Sequence, residues 1–401
     1  MAASAVRITP SATIPGAGEI ERLGRLQPLP SLLRPNCRAN ERLFLWKGIN
    51  TPPSPVIQSN ILQHLADVAS RASLKDAGNY GAGLRKFHLF CDIFSVTEGD
   101  RLPASFALLH SFVLWAVADP DPLEPVFADG TPFEPVSVQV GLKYLSAIRA
   151  WHLAQGWPPP LSDSDMDRIQ WSTRGLERIQ AGRRSRPPRP PVTLHMLATL
   201  HRVLKLDNPF EACIWAVAAC AFWGCMRFGE ATVKTRTAFS ERLHLKRSDA
   251  FFGYDLDNKP YARLDLPSAK TAKPGEIQHV FLAPQNSLCA LQALQNLFRV
   301  VPATSRDPLF SWRDKQGVIR PMVRDVALSF INSIFRASGW GTTFGHSFRI
   351  GGASFYLSQK VDPEIVRLIG RWRSLAYETY IRAFEQVNSR HTANLAGNYG
   401  Y

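Results

Sequence analysis

His346 and Arg349 stand three residues apart, so on a helix both project from one face. A Gly-x-Trp turn follows at Gly370-Arg371-Trp372, and Tyr380 comes eight residues after the tryptophan, in Tyr377-Glu378-Thr379-Tyr380-Ile381-Arg382. Upstream, Arg227 closes an apolar run in Cys225-Met226-Arg227-Phe228-Gly229-Glu230, and Lys270 lies in Ser268-Ala269-Lys270-Thr271-Ala272-Lys273-Pro274-Gly275. These types in this order suit phosphoryl transfer through a protein tyrosine. Breaking a phosphodiester without a metal needs cations on the non-bridging oxygens. It also needs a nucleophile aimed in line and an acid for the leaving sugar oxygen. Arginine suits the first task because its planar fork binds phosphate in a bidentate way. A tyrosine hydroxyl has a free pKa of about 10, and nearby cations favour its phenolate. Glu230, three residues beyond Arg227, would orient that costly buried charge.

The elements that must position these groups can be read from periodicity. Helical patterns begin near Ile61, and the apolar spacing predicts helices over 82–94, 106–118, 136–156 and 163–182. Arg85, Lys86, Lys143 and Arg149 project off the apolar faces of the first and third of these. Residues 1–55 are rich in Pro and Ser without a sustained period, as in a flexible tail. The run from Gly182 to Pro191 holds four prolines and four arginines, Arg183, Arg184, Arg186 and Arg189. It breaks helix and strand alike and marks a domain boundary. Beyond it, Thr193 is a good N-cap for a helix through Leu204. Residues 208–226 are apolar on every side and predict a buried helix ending at Arg227. Short runs at 251–255, 262–266 and 279–282 predict a small antiparallel sheet, with Lys270 and Lys273 in its last connection. Helices are expected again at 288–300, 324–337, 346–358, 363–369 and 375–386. The expected organisation is a tail (1–55), a helical domain (56–182), a basic linker (183–192), a mostly helical second domain with a three-stranded insert (193–390) and a C-terminal tail (391–401).

The chain has 401 residues, 45% of them hydrophobic, enough for two ordinary cores. Its formal charge of +14 favours a polyanionic partner, nucleic acid first. No apolar run approaches the ~20 residues that span a bilayer, and no secretory leader pattern opens the chain. The six cysteines lack C-x-x-C pairing and read as buried free thiols, neither zinc ligands nor a disulfide frame.

Together the Met226-Arg227-Phe228-Gly229-Glu230 box, the Ala269-Lys270-Thr271 hairpin, His346-Ser347-Phe348-Arg349-Ile350-Gly351-Gly352-Ala353, Leu368-Ile369-Gly370-Arg371-Trp372 and Tyr380-Ile381-Arg382 carry a resemblance. The sequence resembles tyrosine recombinases of the phage-integrase family, most of all their eukaryotic, transposon-associated branch. The likeness is strong over 193–390; the first domain resembles the family's core-binding domain in architecture and placement only. It implies a mainly α fold with a small antiparallel β-sheet, its two domains closing on double-stranded DNA as a C-shaped clamp. It further implies a site-specific recombinase or integrase working through a 3′-phosphotyrosyl link, without metal, ATP or other cofactor. Arg227 and Arg349 would clamp the scissile phosphate, with Glu230 in support. Lys270 would be the general acid, Lys273 being the alternative. His346 would handle the tyrosine proton or bind phosphate, and Trp372 would take the second His/Trp position. Arg371, nine residues before Tyr380, stands where some relatives place a His. Tyr380 would be the nucleophile, with Tyr377 one helical turn away as the alternative. Arg85, Lys86, Lys143, Arg149, Arg183, Arg184, Arg186 and Arg189 are the candidate DNA-backbone contacts. The resemblance also implies a homo-tetramer on two DNA sites and leaves open whether the isolated chain is a monomer. The tail, with Leu395, Tyr399 and Tyr401, would dock on a neighbour. Localisation would be nuclear for a eukaryotic chain and otherwise cytoplasmic or nucleoid.

Two other functions fit much of the same sequence. A type IB topoisomerase-like enzyme would use the same chemistry for relaxation. A domesticated, non-catalytic DNA-binding protein would keep the basic surfaces, and its mark would be a lost catalytic residue.

Overall fold

The proline- and arginine-rich segment separates two hydrophobic cores, and the chain divides into two units between Arg186 and Pro187. The computed structural model describes residues 27–52, 56–74, 77–118, 134–180, 189–269, 272–273 and 275–373. The expected helix over 375–386 lies outside the described residues.

The first unit is helical: α1 (Arg42–Leu45), α2 (Asn60–Ala72), α3 (Ala77–Ile93), α4 (Glu98–Arg101), α5 (Phe106–Val117), α6 (Val138–Ala154) and α7 (Asp163–Ile179). Local chemistry sets the helix starts. The Ser105 hydroxyl accepts from the Leu108 N–H at the head of α5, and Ser162 forms a reciprocal capping box with Asp165 at the head of α7. Phe87, Phe112 and Trp151 meet edge to face in the core.

The structure departs from two of the sequence expectations. Residues 27–52 are not a loose tail. Leu43 and Trp46 are buried, the Trp46 indole donates to the Pro35 carbonyl, and the Trp151 indole donates to the Trp46 carbonyl. Nor do Arg85 and Lys86 form an exposed basic face. Both are buried on Glu134, with Arg85 Nη2 at 2.7 Å and Lys86 Nζ at 3.0 Å from Oε2. Lys86 also stands over the Trp115 ring at 4.7 Å. Burial would penalise either cation heavily without that carboxylate.

The second unit is built around α9 (Pro209–Trp223), preceded by α8 (Leu194–Val203). Thr193 caps α8 through the Met196 N–H. Asn208 caps α9, and Pro209 takes the first helical position, where its missing N–H costs nothing. Every residue of α9 from Ala212 to Trp223 is buried, as its all-round apolarity requires. The helix ends earlier than the apolar run suggests. Gly224 closes it and Cys225 turns left-handed, at φ 42°. Arg227 therefore does not end the long helix but opens the short α10 (Phe228–Ala231).

A three-stranded antiparallel sheet follows: β1 (Ala250–Tyr254), β2 (Pro260–Leu266) and β3 (Gln278–Leu282) in that order. Leu264 is paired with Ala250 on one side and Val280 on the other. Ala262, Leu264 and Leu266 point inward while Tyr261, Arg263 and Asp265 alternate outward. A Cβ at Gly224 would meet Val280 at 2.5 Å, so the inner face of the sheet rests on the turn that ends α9. After α11 (Ala290–Val300) comes a small hairpin, β4 (Ser311–Arg313) with β5 (Ile319–Pro321), absent from the sequence reading. The unit continues with α12 (Arg324–Ala337), α13 (Ser347–Ser358) and α14 (Pro363–Gly370).

Helix α13 lies unusually close to its neighbours. A Cβ at Gly352 would fall 2.0 Å from the Phe222 carbonyl oxygen, and one at Gly351 would fall 2.0 Å from that of Val192. Two glycines in succession are what lets α13 press on α9 and on the incoming chain. The Val192 N–H donates to the Ser347 carbonyl, and the Tyr356 hydroxyl donates to that of Trp223.

Candidate active site

Two turns face each other at the ends of α9 and α14, and two arginines tie them together. Arg349, in the first turn of α13, is 1% exposed. Its Nη1 donates to the Cys225 carbonyl at 2.7 Å, its Nη2 donates to the Gly370 carbonyl, and its guanidinium lies 4.3 Å from the centre of the Trp372 ring. Arg371 donates to the carbonyls of Gly224 at 3.2 Å and Ile369 at 3.0 Å. It occupies a left-handed conformation, φ 55°, that L residues other than Asn and Asp seldom adopt. Trp372 packs with Cys225, Ala353, Leu357 and Val366. A Cβ at Gly370 would collide with its ring at 1.7 Å, so this position of the motif requires glycine.

Glu230 is the carboxylate of the cluster. Its Oε1 accepts from Arg227 Nη1 at 2.8 Å; its Oε2 accepts from the Arg227 backbone N–H at 2.9 Å and from Arg371 Nη2 at 2.9 Å. Burial pushes its carboxyl up. Arg371, Arg227 and Arg349 in that order pull it below the usual carboxylate value, so it stays ionised. Arg227 is the more accessible cation, its side chain 18% exposed. Its contact with Glu230 uses Nη1, and a guanidinium fork is the shape that binds an anion in a bidentate way. Burial, then the neighbouring Arg227, lowers the Arg349 guanidinium to about 10, so it remains charged at neutral pH.

His346 precedes α13 and is half-buried. Burial, followed by the charges of Arg189, Arg349, Arg227 and Arg324, lowers its pKa to about 4. Its imidazole is therefore neutral at physiological pH and able to accept a proton.

The structure brings Arg227, Glu230, His346, Arg349 and Trp372 into one cluster. Lys270, Tyr380 and its alternative Tyr377 lie outside the described residues, as do Arg183, Arg184 and Arg186. Lys273 is exposed; its backbone N–H donates to Glu276, which also pairs with Arg373 at 3.0 Å. These three residues, with Gly275, Arg367 and Trp372, line a shallow groove. Arg189 is exposed near the Phe344 ring, and Lys143 and Arg149 are exposed on α6. Two site residues went unassigned by sequence. Arg371 had a signal in its nine-residue spacing to Tyr380. Arg324, at the head of α12, had none. Among the described residues no group of three His, Cys, Asp or Glu is placed to hold a metal ion, and no helix is long and apolar enough to cross a membrane.

No protein-family model matches the chain, and no curated protein matches it by sequence. Solved structures do. The XerH site-specific recombinase bound to palindromic difH substrate, in its post-cleavage complex, is 13% identical. The match has a TM-score of 0.50 and covers 92% of this chain and 99% of that one. The Tn1549 transposon integrase in complex with transposon right end DNA is 11% identical, with a TM-score of 0.44 over 83% of this chain and 98% of that one. A lambda integrase dimer bound to a COC' core site is 12% identical, with a TM-score of 0.41 over 80% and 75%. At such identities the likeness is one of fold: mainly helical with a small antiparallel sheet, as in the tyrosine recombinases.

Proposed function

We propose that this protein cuts and rejoins DNA as a site-specific recombinase or integrase, through a tyrosyl intermediate. The observation that carries the reading is the guanidinium pair of buried Arg349 and more accessible Arg227 beside a neutral His346, within a recombinase-type fold. In this reading Tyr380 attacks the scissile phosphorus and its proton passes to His346. The Tyr380 Oη–P bond forms as the P–O5′ bond breaks, and Lys270 gives the leaving oxygen its proton. Arg227 and Arg349 hold the non-bridging oxygens while charge builds on them. A 5′-hydroxyl of a partner strand then reverses these steps on the 3′-phosphotyrosyl link. The link keeps the bond energy, so neither ATP nor a metal is called for.

Both units would contact the duplex, Lys143, Arg149 and Arg189 through its phosphates. The proposal extends to a tetramer on two sites, to membership of the eukaryotic transposon-associated branch and, with it, to a nuclear location.

Covalent trapping tests the reading. Nicked duplexes, including DNA flanking the gene, are incubated with wild-type, Tyr377→Phe and Tyr380→Phe protein without metal and run on a denaturing gel. An adduct lost only in Tyr380→Phe is expected. Loss only in Tyr377→Phe moves the nucleophile by one helical turn. Tight, salt-sensitive binding with no adduct from a synapsed substrate would sink the catalytic reading. Unrestricted relaxation of supercoiled plasmid would replace recombination with a topoisomerase activity.

A further inference from the structure

Arg371 has no part in the mechanism above, yet it is among the most enclosed charges of the second unit, its side chain 7% exposed. Holding a guanidinium there in a left-handed backbone conformation is costly, so its contacts are informative. Three of them converge. Nη1 reaches the Gly224 and Ile369 carbonyls, and Nη2 reaches Glu230 Oε2. That oxygen also receives the backbone N–H of Arg227, while the other oxygen of Glu230 receives the Arg227 guanidinium. Glu230 is thus shared between two arginines from opposite turns, and neither has it alone.

We infer that Arg371 is a positioning residue for the phosphate clamp, acting through Glu230 to hold Arg227 in place and to leave part of its charge for the substrate. This rests on the proposed strand-cleavage reading. With Arg371 present, three guanidiniums (Arg227, Arg349, Arg371) face one carboxylate, an excess suited to a phosphodiester gaining negative charge in its transition state. Without it, Glu230 has Arg227 as its main partner and neutralises it, and the turn at Gly224 loses a donor. A lysine at 371 keeps the charge but not the fork that reaches carbonyls and carboxylate together.

The test combines two readouts on the full chain with Arg371→Met, Arg371→Lys, Glu230→Gln and the Arg371→Met/Glu230→Gln double variant. The first needs no DNA: the acid limb of thermal stability. Arg227, Arg371 and Arg349 face Glu230, and His244 lies across a small cavity from it. Because its pKa is lowered in the fold, Glu230 contributes stability above its unfolded pKa of about 4.3, lost as pH falls through the folded value. Removing Arg371 raises that folded value, so the limb moves to higher pH in Arg371→Met. It does so less in Arg371→Lys, and not when Glu230→Gln is already present.

The second readout is single-turnover cleavage of nicked duplex. A loss of about tenfold or more is expected in Arg371→Met, with duplex affinity within about threefold. The double variant should be no slower than the slower single variant. Additive losses, or a limb that stays in place in both Arg371 variants, overturn the inference and leave Arg371 a structural staple of the two turns. If wild-type protein forms no adduct with any duplex, the strand-cleavage reading fails; the acid limb separately reports whether Arg371 acts on Glu230.

Discussion

Both units bury cations, but they treat them differently. In the first, Arg85 and Lys86 share Glu134, Arg101 sits on Asp92 at 2.8 Å, and Arg34 sits on Glu98 at 2.7 Å. Positive and negative charges there nearly match. In the second, Arg227, Arg349 and Arg371 gather around Glu230, the one carboxylate among the described residues that pairs with them, Arg349 is held by backbone carbonyls, and Arg189 and Arg324 add further charge around His346. A balanced buried network holds a fold together; an excess of guanidiniums leaves positive charge over, which is the charge the proposed phosphate clamp would use.

The contrast can be broken experimentally. The largest effect is expected from Glu134→Ala, which leaves Arg85 and Lys86 buried without their carboxylate. A stability loss of about 3–5 kcal/mol should appear in denaturant unfolding, while the surviving folded protein keeps its adduct yield per molecule. Arg227→Ala should do the reverse. Strand cleavage should fall by about 10²–10³-fold, or about 2.7–4 kcal/mol of barrier, with little change in unfolding midpoint. If Arg227→Ala proves the more destabilising, the distinction between the two clusters fails.

The smallest effect lies in pH, and it separates the histidines of the two units. His88 and His152 are buried and held well below the ordinary value, His152 at about 4, by burial first. His152 is also fixed as a neutral tautomer, accepting from the Ala104 N–H and donating to the Ile148 carbonyl. In the unfolded chain both protonate below about pH 6.5, so stability falls as pH drops through that value, by about 1.4 kcal/mol per pH unit for each. DNA should not alter their titration. His346 is held down by burial and by arginines that a bound phosphate would screen, so its pKa should rise on binding. Duplex binding at pH 5 to 6 should then take up about one proton or less. Calorimetry in buffers of different ionisation heat reads this directly, and no uptake would argue against a phosphate beside His346.

Much of the site was legible because its residues sit where local rules are strongest. The apolar run from Asn208 reveals α9, though not its early stop at Gly224, and the three strands carry clear alternation and turns. What escaped depends on distant partners. Arg85 and Lys86 sit beside an apolar face, and their carboxylate lies 49 and 48 residues away. Residues 27–52 have no period to read because their order comes from Trp46 docking on Trp151, 105 residues on. The β4 and β5 strands have three residues each, too few for alternation to show. Arg371 could be counted to a position but not to a role, since its role depends on Glu230, 141 residues earlier.

The close approach allowed by Gly351 and Gly352 has a mechanical consequence. The segment that enters the second unit is fastened at Val192 to Ser347, one residue from His346 and two from Arg349. Its last residues are therefore no slack tether. Tension applied at Val192 arrives at the first turn of α13, which carries Arg349 and has His346 at its N-cap position.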